Sequence, residues 1–241
     1  MSLIYADLAP LTFRIGFLKH PYPEVIDSFM VWRKEHFRVV QVADVTTSSL
    51  DSALCQLQPL NSTPRRWLWQ QTRSEWVAYF DNRINGPDPI PVVSYLAQHL
   101  RCRGLVATYV PHTLDQETGT KTGLYGAIQF ELFAPHPTAF LNYERTVSTA
   151  FEAGKWRFDA NGSVQDFEDT SQYHNRRILD RFSLQTLKKY CTSVGIQVDS
   201  PDFYRGSATL VWTEDPLPKD ALSLTLTEAR ARMGFSPPKA K

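Results

Sequence analysis

The side chains in this chain that can do acid–base, nucleophilic or metal chemistry are few and scattered. The six histidines, His20, His36, His99, His112, His136 and His174, include no pair with the close spacing of a helical zinc motif, and none lies near a cysteine pair. No metal site is expected. His112 and His136 each follow a strand-like segment, and would meet if those strands ended on the same side. Cys102 stands between Arg101 and Arg103, cations that lower a thiol pKa when they approach it, although a helix-end cysteine beside solvated arginines is the simpler reading. No Gly-x-Ser-x-Gly elbow supports a nucleophilic serine. The glycine-rich run GTKTGLYG, residues 119–126, lacks Walker A spacing and precedes a strand rather than a helix. It reads as a hairpin loop, and no cofactor is expected.

Polar groups also gather at predicted strand ends. Tyr79, Phe80, Asp81, Asn82 and Arg83 close a strand with a set that can converge on a ligand, while Asp81 and Asn82 are equally good turn formers. Asp166, Glu168, Asp169 and Tyr173 are followed by Arg176, Arg177, Asp180 and Arg181. Opposite charges so spaced suit a solvated face or a polar protein interface. Arg65, Arg66, Trp67, Trp69 and Arg73 mix cations with rings, as single-strand nucleic-acid grooves do, yet the alternation of the tryptophans points to core rings beside solvated arginines.

The elements that must hold these groups follow from hydrophobic period. Phe13, Ile15 and Phe17 alternate with Thr12, Arg14 and Gly16, the pattern of a half-buried strand. Val25, Ile26, Phe29, Met30 and Trp32 share one side of a helix. The stretch 67–112 reads as strand, strand, helix, strand: Trp67 and Trp69 on one strand face, Trp76, Ala78 and Phe80 on one face of the next, then a helix with Asp88 and Pro89 at its start, the stripe Val93, Leu96, Ala97, Leu100, and Gly104 at its stop. Residues 105–110 and 123–133 are strands that can pair through a long loop. Asn161 and Gly162 give the strongest hairpin signal in the chain. Ser183 caps a helix closed by Gly195, and Thr225 with Glu228 has capping-box spacing. The strand, strand, helix, strand order recurs at about 155–213. The expected class is therefore α+β with mainly antiparallel sheet and packed helices, arranged as related lobes at 1–135 and 136–241 or as one continuous domain.

Twenty-six Lys and Arg balance 25 Asp and Glu, which removes the global positive field of a dedicated nucleic-acid or membrane-surface binder. No apolar run approaches the ~20 residues needed to cross a bilayer, the N-terminus lacks a basic leader, and three widely spaced cysteines suit reduced thiols in a cytoplasm. The expectation is a cytoplasmic, non-catalytic protein whose partner is another protein, of inhibitor or immunity type, neutralising a toxin or enzyme. Its binding surface is expected at Tyr79, Asp81, Asn82 and Arg83, with Arg176 and Arg177. The alternatives are a hydrolase or transferase using Asp81, His112 or Cys102, and single-stranded nucleic-acid binding.

Overall fold

The computed structural model describes residues 3–46, 49–114 and 123–235. Residues 1–2, Thr47, Ser48, residues 115–122 with the first half of the glycine-rich run, and the tail after 235 lie outside the described residues. In chain order the first half contains β1 (Arg14–Lys19), α1 (Tyr22–His36), β2 (Val40–Asp44), α2 (Leu50–Cys55), β3 (Leu60–Asn61), β4 (Arg66–Gln71), β5 (Trp76–Asp81), α3 (Ile90–His99) and β6 (Gly104–Val110). The second half contains β7 (Ala127–Phe133), β8 (Tyr143–Glu152), β9 (Lys155–Gly162), α4 (Leu184–Ser193), β10 (Ala208–Thr213), β11 (Ser223–Leu224) and α5 (Leu226–Arg232).

Nine strands form one antiparallel sheet in the order β2-β10-β4-β5-β1-β6-β7-β8-β9, so the fold is α+β, as its periodicities imply. Because β10 from the C-terminal half inserts between β2 and β4, both halves of the chain build the same sheet. The expected second strand, strand, helix, strand block does not form: residues 163–183 carry 3-10 turns where it needs a strand. The hairpin turn also lies elsewhere. It is made by Ala153 and Gly154, both at positive φ (48° and 81°), which join β8 to β9, the geometry a two-residue turn requires. Asn161 and Gly162 instead end β9, and Gly162 takes φ 86° where a side chain would collide with the Glu144 carbonyl.

The period-2 pattern divides the core in two. On one face Leu68, Trp76, Ala78, Phe80, Leu105, Phe130 and Leu132 pack beneath α2, α4 and α5. On the other, Trp67, Trp69, Val77, Tyr79 and Val106 pack beneath α1 and α3. Phe29 of α1 meets Trp69 edge-on at 5.2 Å and Trp67 at 5.8 Å, favoured geometries for aromatic rings. Helix α3 lies unusually close to the sheet. A Cβ on Gly104 would stand 2.5 Å, and one on Gly16 2.7 Å, from a methyl of Val93. Gly104 therefore serves close packing at the start of β6, and the left-handed residue that ends α3 is Arg101, φ 52°, with the Cys102 amide donating back to the Ala97 carbonyl at 2.9 Å. Two other caps match their sequence signals: Ser183 accepts from the Thr186 amide at 3.2 Å, and Thr225 and Glu228 close a capping box. Asp88 does not cap α3, whose N-cap is Pro89, because its carboxylate is taken by Arg83.

Candidate functional site

Helices α1 and α3 cover the sheet from β2 to β6 and the Phe133 end of β7, and leave the rest of β7 with β8 and β9 bare of helix on that face. The alternation along each strand then decides what is displayed. Ile128, Phe130 and Leu132 of β7 point to the core on the opposite face, so Gln129 and Glu131 must point outward here. Register extends both rows: Thr108, Gln129, Ser148 and Asp159 stand side by side, as do Val106, Glu131, Thr146 and Asn161. The result is a trough of about 1160 Å³, floored by Gln129, Ser148 and Asp159 of one row and Glu131, Thr146 and Asn161 of the other, and bordered by Arg103, His136, Phe140, Tyr143 and Glu144.

One wall is the loop between β7 and β8, and α3 holds it in place. Asn142, fully buried, donates to the Ser94 carbonyl (3.1 Å) and the Ala134 carbonyl (3.0 Å) and accepts from the Ser94 hydroxyl (2.6 Å). Tyr143 packs on Phe133 at 4.6 Å, and the exposed Phe140 ring stacks over Tyr143 at 5.8 Å. Arg103 and Glu144 pair at 2.5 Å along the margin. The trough is lined by three carboxylates, Glu131, Glu144 and Asp159, against one guanidinium.

Glu131 is the unusual group. Its Oε2 atom has neither accessible surface nor a hydrogen-bond partner. Burial pushes its carboxyl up to about 7, an effect that the nearby Arg14 cation and the neighbouring Tyr143 hydroxyl only partly oppose. Burial and the Glu131 charge in turn hold the Tyr143 hydroxyl up at about 12. Arg14 stands among Asp88, Glu131 and Asp81, and its guanidinium donates to the Pro87 carbonyl at 3.4 Å. Through Arg14 the trough floor is electrostatically joined to the loop after β5.

The end of β5 and that loop together hold four of the residues that sequence reasoning singled out for binding, and their role here is to build the chain. Tyr79, Asp81 and Asn82 are 1%, 0% and 0% exposed, so they offer no surface. Asp81 accepts from the Tyr79 hydroxyl (3.2 Å) and from the amides of Arg83 and Asp88 (3.0 Å each), and burial raises its carboxyl to about 6. Asn82 accepts from the amides of Arg65 (2.8 Å) and Arg66 (3.0 Å) and donates to the Pro59 carbonyl (2.7 Å). These are turn duties. Arg83 pairs with Asp88 at 2.5 Å. Arg176 and Arg177 are exposed beside the 3-10 turn 178–180 that packs on β9, and β9 stands five strands from β5, roughly 24 Å at the usual spacing. The two halves of the expected surface are thus not brought together.

The other candidates are also separated. Antiparallel pairing of β6 with β7 sets Gly104 against Phe133 and Val110 against Ala127, so His112 and His136 fall at opposite ends of the hairpin, roughly 20 Å apart. His112 accepts from the Gly126 amide at 3.2 Å and lies against Phe151 and Trp156. Burial pushes the Cys102 thiol up to about 12, the opposite of activation. Trp67 and Trp69 are enclosed rather than available to stack on bases. Glu168 does not sit on a solvated face either: it is buried against Arg145. Among the described residues no group of three or more His, Cys, Asp or Glu is placed to hold a metal ion, and no helix is long and apolar enough to cross a membrane. No family model, curated protein or solved structure matches this chain.

Sequence reasoning missed Glu131 and Tyr143. The signal that could have found them is the alternation AIQFELF, which puts Gln129 and Glu131 on the face opposite three core residues.

Proposed function

We propose that this is a non-catalytic protein-binding protein, of inhibitor or immunity type, that receives a basic segment of its partner in the carboxylate-lined trough over β7 to β9. The observation that carries this reading is the excess of carboxylates in the trough, where Glu131, Glu144 and Asp159 line the surface against Arg103 alone, with Glu131 held partly out of water on the floor. A buried carboxylate without a partner is costly, and an arriving ammonium or guanidinium removes that cost. Asp159 and Glu144 supply further negative potential that steers cations inward. The exposed Phe140 and Leu141 stand at the wall, where an apolar contact beside a desolvated charge suits a binding hot spot. Two of the three free thiols are buried, which fits work in a reducing cytoplasm.

An extended peptide of alternating Arg and Ser tests the reading by calorimetry at low ionic strength. Binding is expected to weaken at least about tenfold in Glu131→Gln. Peptide affinity that ignores Glu131→Gln would refute the trough as the site. A second reading rests on the same carboxyl: a group near 7 beside a tyrosine has the acidity of a general acid–base. Turnover of generic glycoside, ester or phosphoester substrates that vanishes in Glu131→Gln would replace binding with catalysis.

A further inference from the structure

Strand β9 is an edge of the sheet, hydrogen-bonded to β8 alone. Its hairpin sets Glu152 against Lys155 across a two-residue turn, and such a flanking pair exchanges both backbone bonds. From there the ladder alternates. Lys155, Arg157, Asp159 and Asn161 direct their N–H and C=O groups toward β8, while Trp156, Phe158 and Ala160 direct theirs outward. No backbone partner meets those outward groups among the described residues. An eight-residue edge of this kind is a template for another strand.

The side chains of β9 specify which strand fits. When a second copy approaches antiparallel about a twofold axis, outward residues face outward residues if the axis passes Arg157, Phe158 or Asp159. Centring on Arg157 sets that cation against itself, and centring on Asp159 sets two carboxylates together. Both are unfavourable. Centring on Phe158 places Arg157 opposite Asp159 twice, at the closely spaced non-hydrogen-bonded positions. The same register sets Lys155 against Asn161 on the trough face. On the other face Trp156 meets Ala160 on each side of a Phe158 pair, large against small. Arg157 and Asp159 are exposed and enter no ion pair among the described residues. The opposite edge, β2, is five residues long with Asp44 as its one charge, and pairing β9 to β2 of another copy would grow head to tail without closing.

We propose that the protein pairs with a second copy of itself through β9, antiparallel and centred on Phe158. The nine strands of each copy continue into those of the other, and the two troughs run on into one another across the junction. This goes beyond the binding reading and does not depend on it.

Sedimentation velocity over a concentration series is expected to show a closed dimer. Arg157→Asp alone and Asp159→Arg alone should each weaken it by roughly tenfold or more, while the two substitutions together restore affinity to within about threefold. Far-UV circular dichroism melts of each variant check that the fold is intact. Independently, in a Cys55→Ser background, Arg157→Cys mixed with Asp159→Cys should cross-link on mild oxidation, whereas either variant alone should not, since like positions stand too far apart for a disulfide. A monomer at every concentration overturns the proposal. So does a dimer indifferent to single charge reversal, a loss that the double exchange leaves unrestored, cross-linking of one variant with itself, or growth beyond two copies.

Discussion

Two glutamates on the same third of the sheet, one on each face, end in opposite circumstances. The Glu168 side chain, beneath β8, is 0% exposed and fully engaged: Arg145 donates to it twice, at 2.8 and 2.6 Å, the Tyr173 hydroxyl at 2.6 Å and the Gln165 amide at 2.9 Å. Glu131, on the trough side, keeps one buried oxygen without a partner. A buried carboxylate whose lone pairs are filled by the protein is a structural part, while one left short of donors has capacity for a donor from outside. The contrast places a saturated ion pair on the helix-covered face and an unsaturated carboxyl on the bare one.

The largest effect should come from breaking the satisfied pair. Arg145→Ala strands a buried carboxylate and is expected to cost about 3 to 5 kcal/mol in urea melts. A loss under about 1 kcal/mol would mean that Glu168 is solvated and the contrast is empty. Next is the scaffold between the two sites: Leu96, fully buried on α3, carries the helix that anchors the trough wall, and Leu96→Ala should cost about 2 to 5 kcal/mol. Peptide binding should weaken with it if α3 positions the wall through Asn142.

Glu131→Gln sharpens the comparison because its sign is reversed. The folded carboxyl titrates near 7, above its ordinary 4.5, so the native state holds a proton that the unfolded chain has released between those values. Stability therefore falls as pH rises from about 4.5 to about 7, and the ionised group is a burden above that window. Glu131→Gln should stabilise the protein by about 1 to 3 kcal/mol at pH 8 and leave it nearly unchanged at pH 4. Cation binding needs the ionised form, so wild-type affinity should rise through pH 7 while stability declines. Equal melting temperatures for wild type and Glu131→Gln at pH 8 would remove the argument for a poised carboxylate. The smallest effect is expected of Tyr143→Phe, which removes a neighbouring hydroxyl that favours the ionised form. It should raise the Glu131 midpoint further and shift the binding profile to higher pH, at a cost of about 0.5 to 1.5 kcal/mol in stability.

Much of the scaffold was legible in local pattern. The strand alternations around Trp67, Trp76 and Phe130, the helix stripe through Leu96, the Ser183 cap and the capping box of Thr225 and Glu228 all depend on residues within a few positions of one another, whose geometry is set by backbone sterics and short-range hydrogen bonds. The same local logic misled at Asn161 and Gly162. They are a good turn pair, yet β8 pairs with β9 through Ala153 and Gly154 because that register faces Val147 and Ala160 together toward the core side.

By itself the sequence determined the class, the faces of most strands and the outward side of Glu131. Only the tertiary structure decided that Tyr79, Asp81 and Asn82 lie inside, that His112 and His136 are a strand length apart, and that Glu131 is drier than Asp159 two strands away. Which way a side chain points is settled by its own strand, but how much water it keeps depends on Asn142, Tyr143, Arg14 and α3, which arrive from distant parts of the chain. Desolvation is a sum over neighbours that no single stretch of sequence contains.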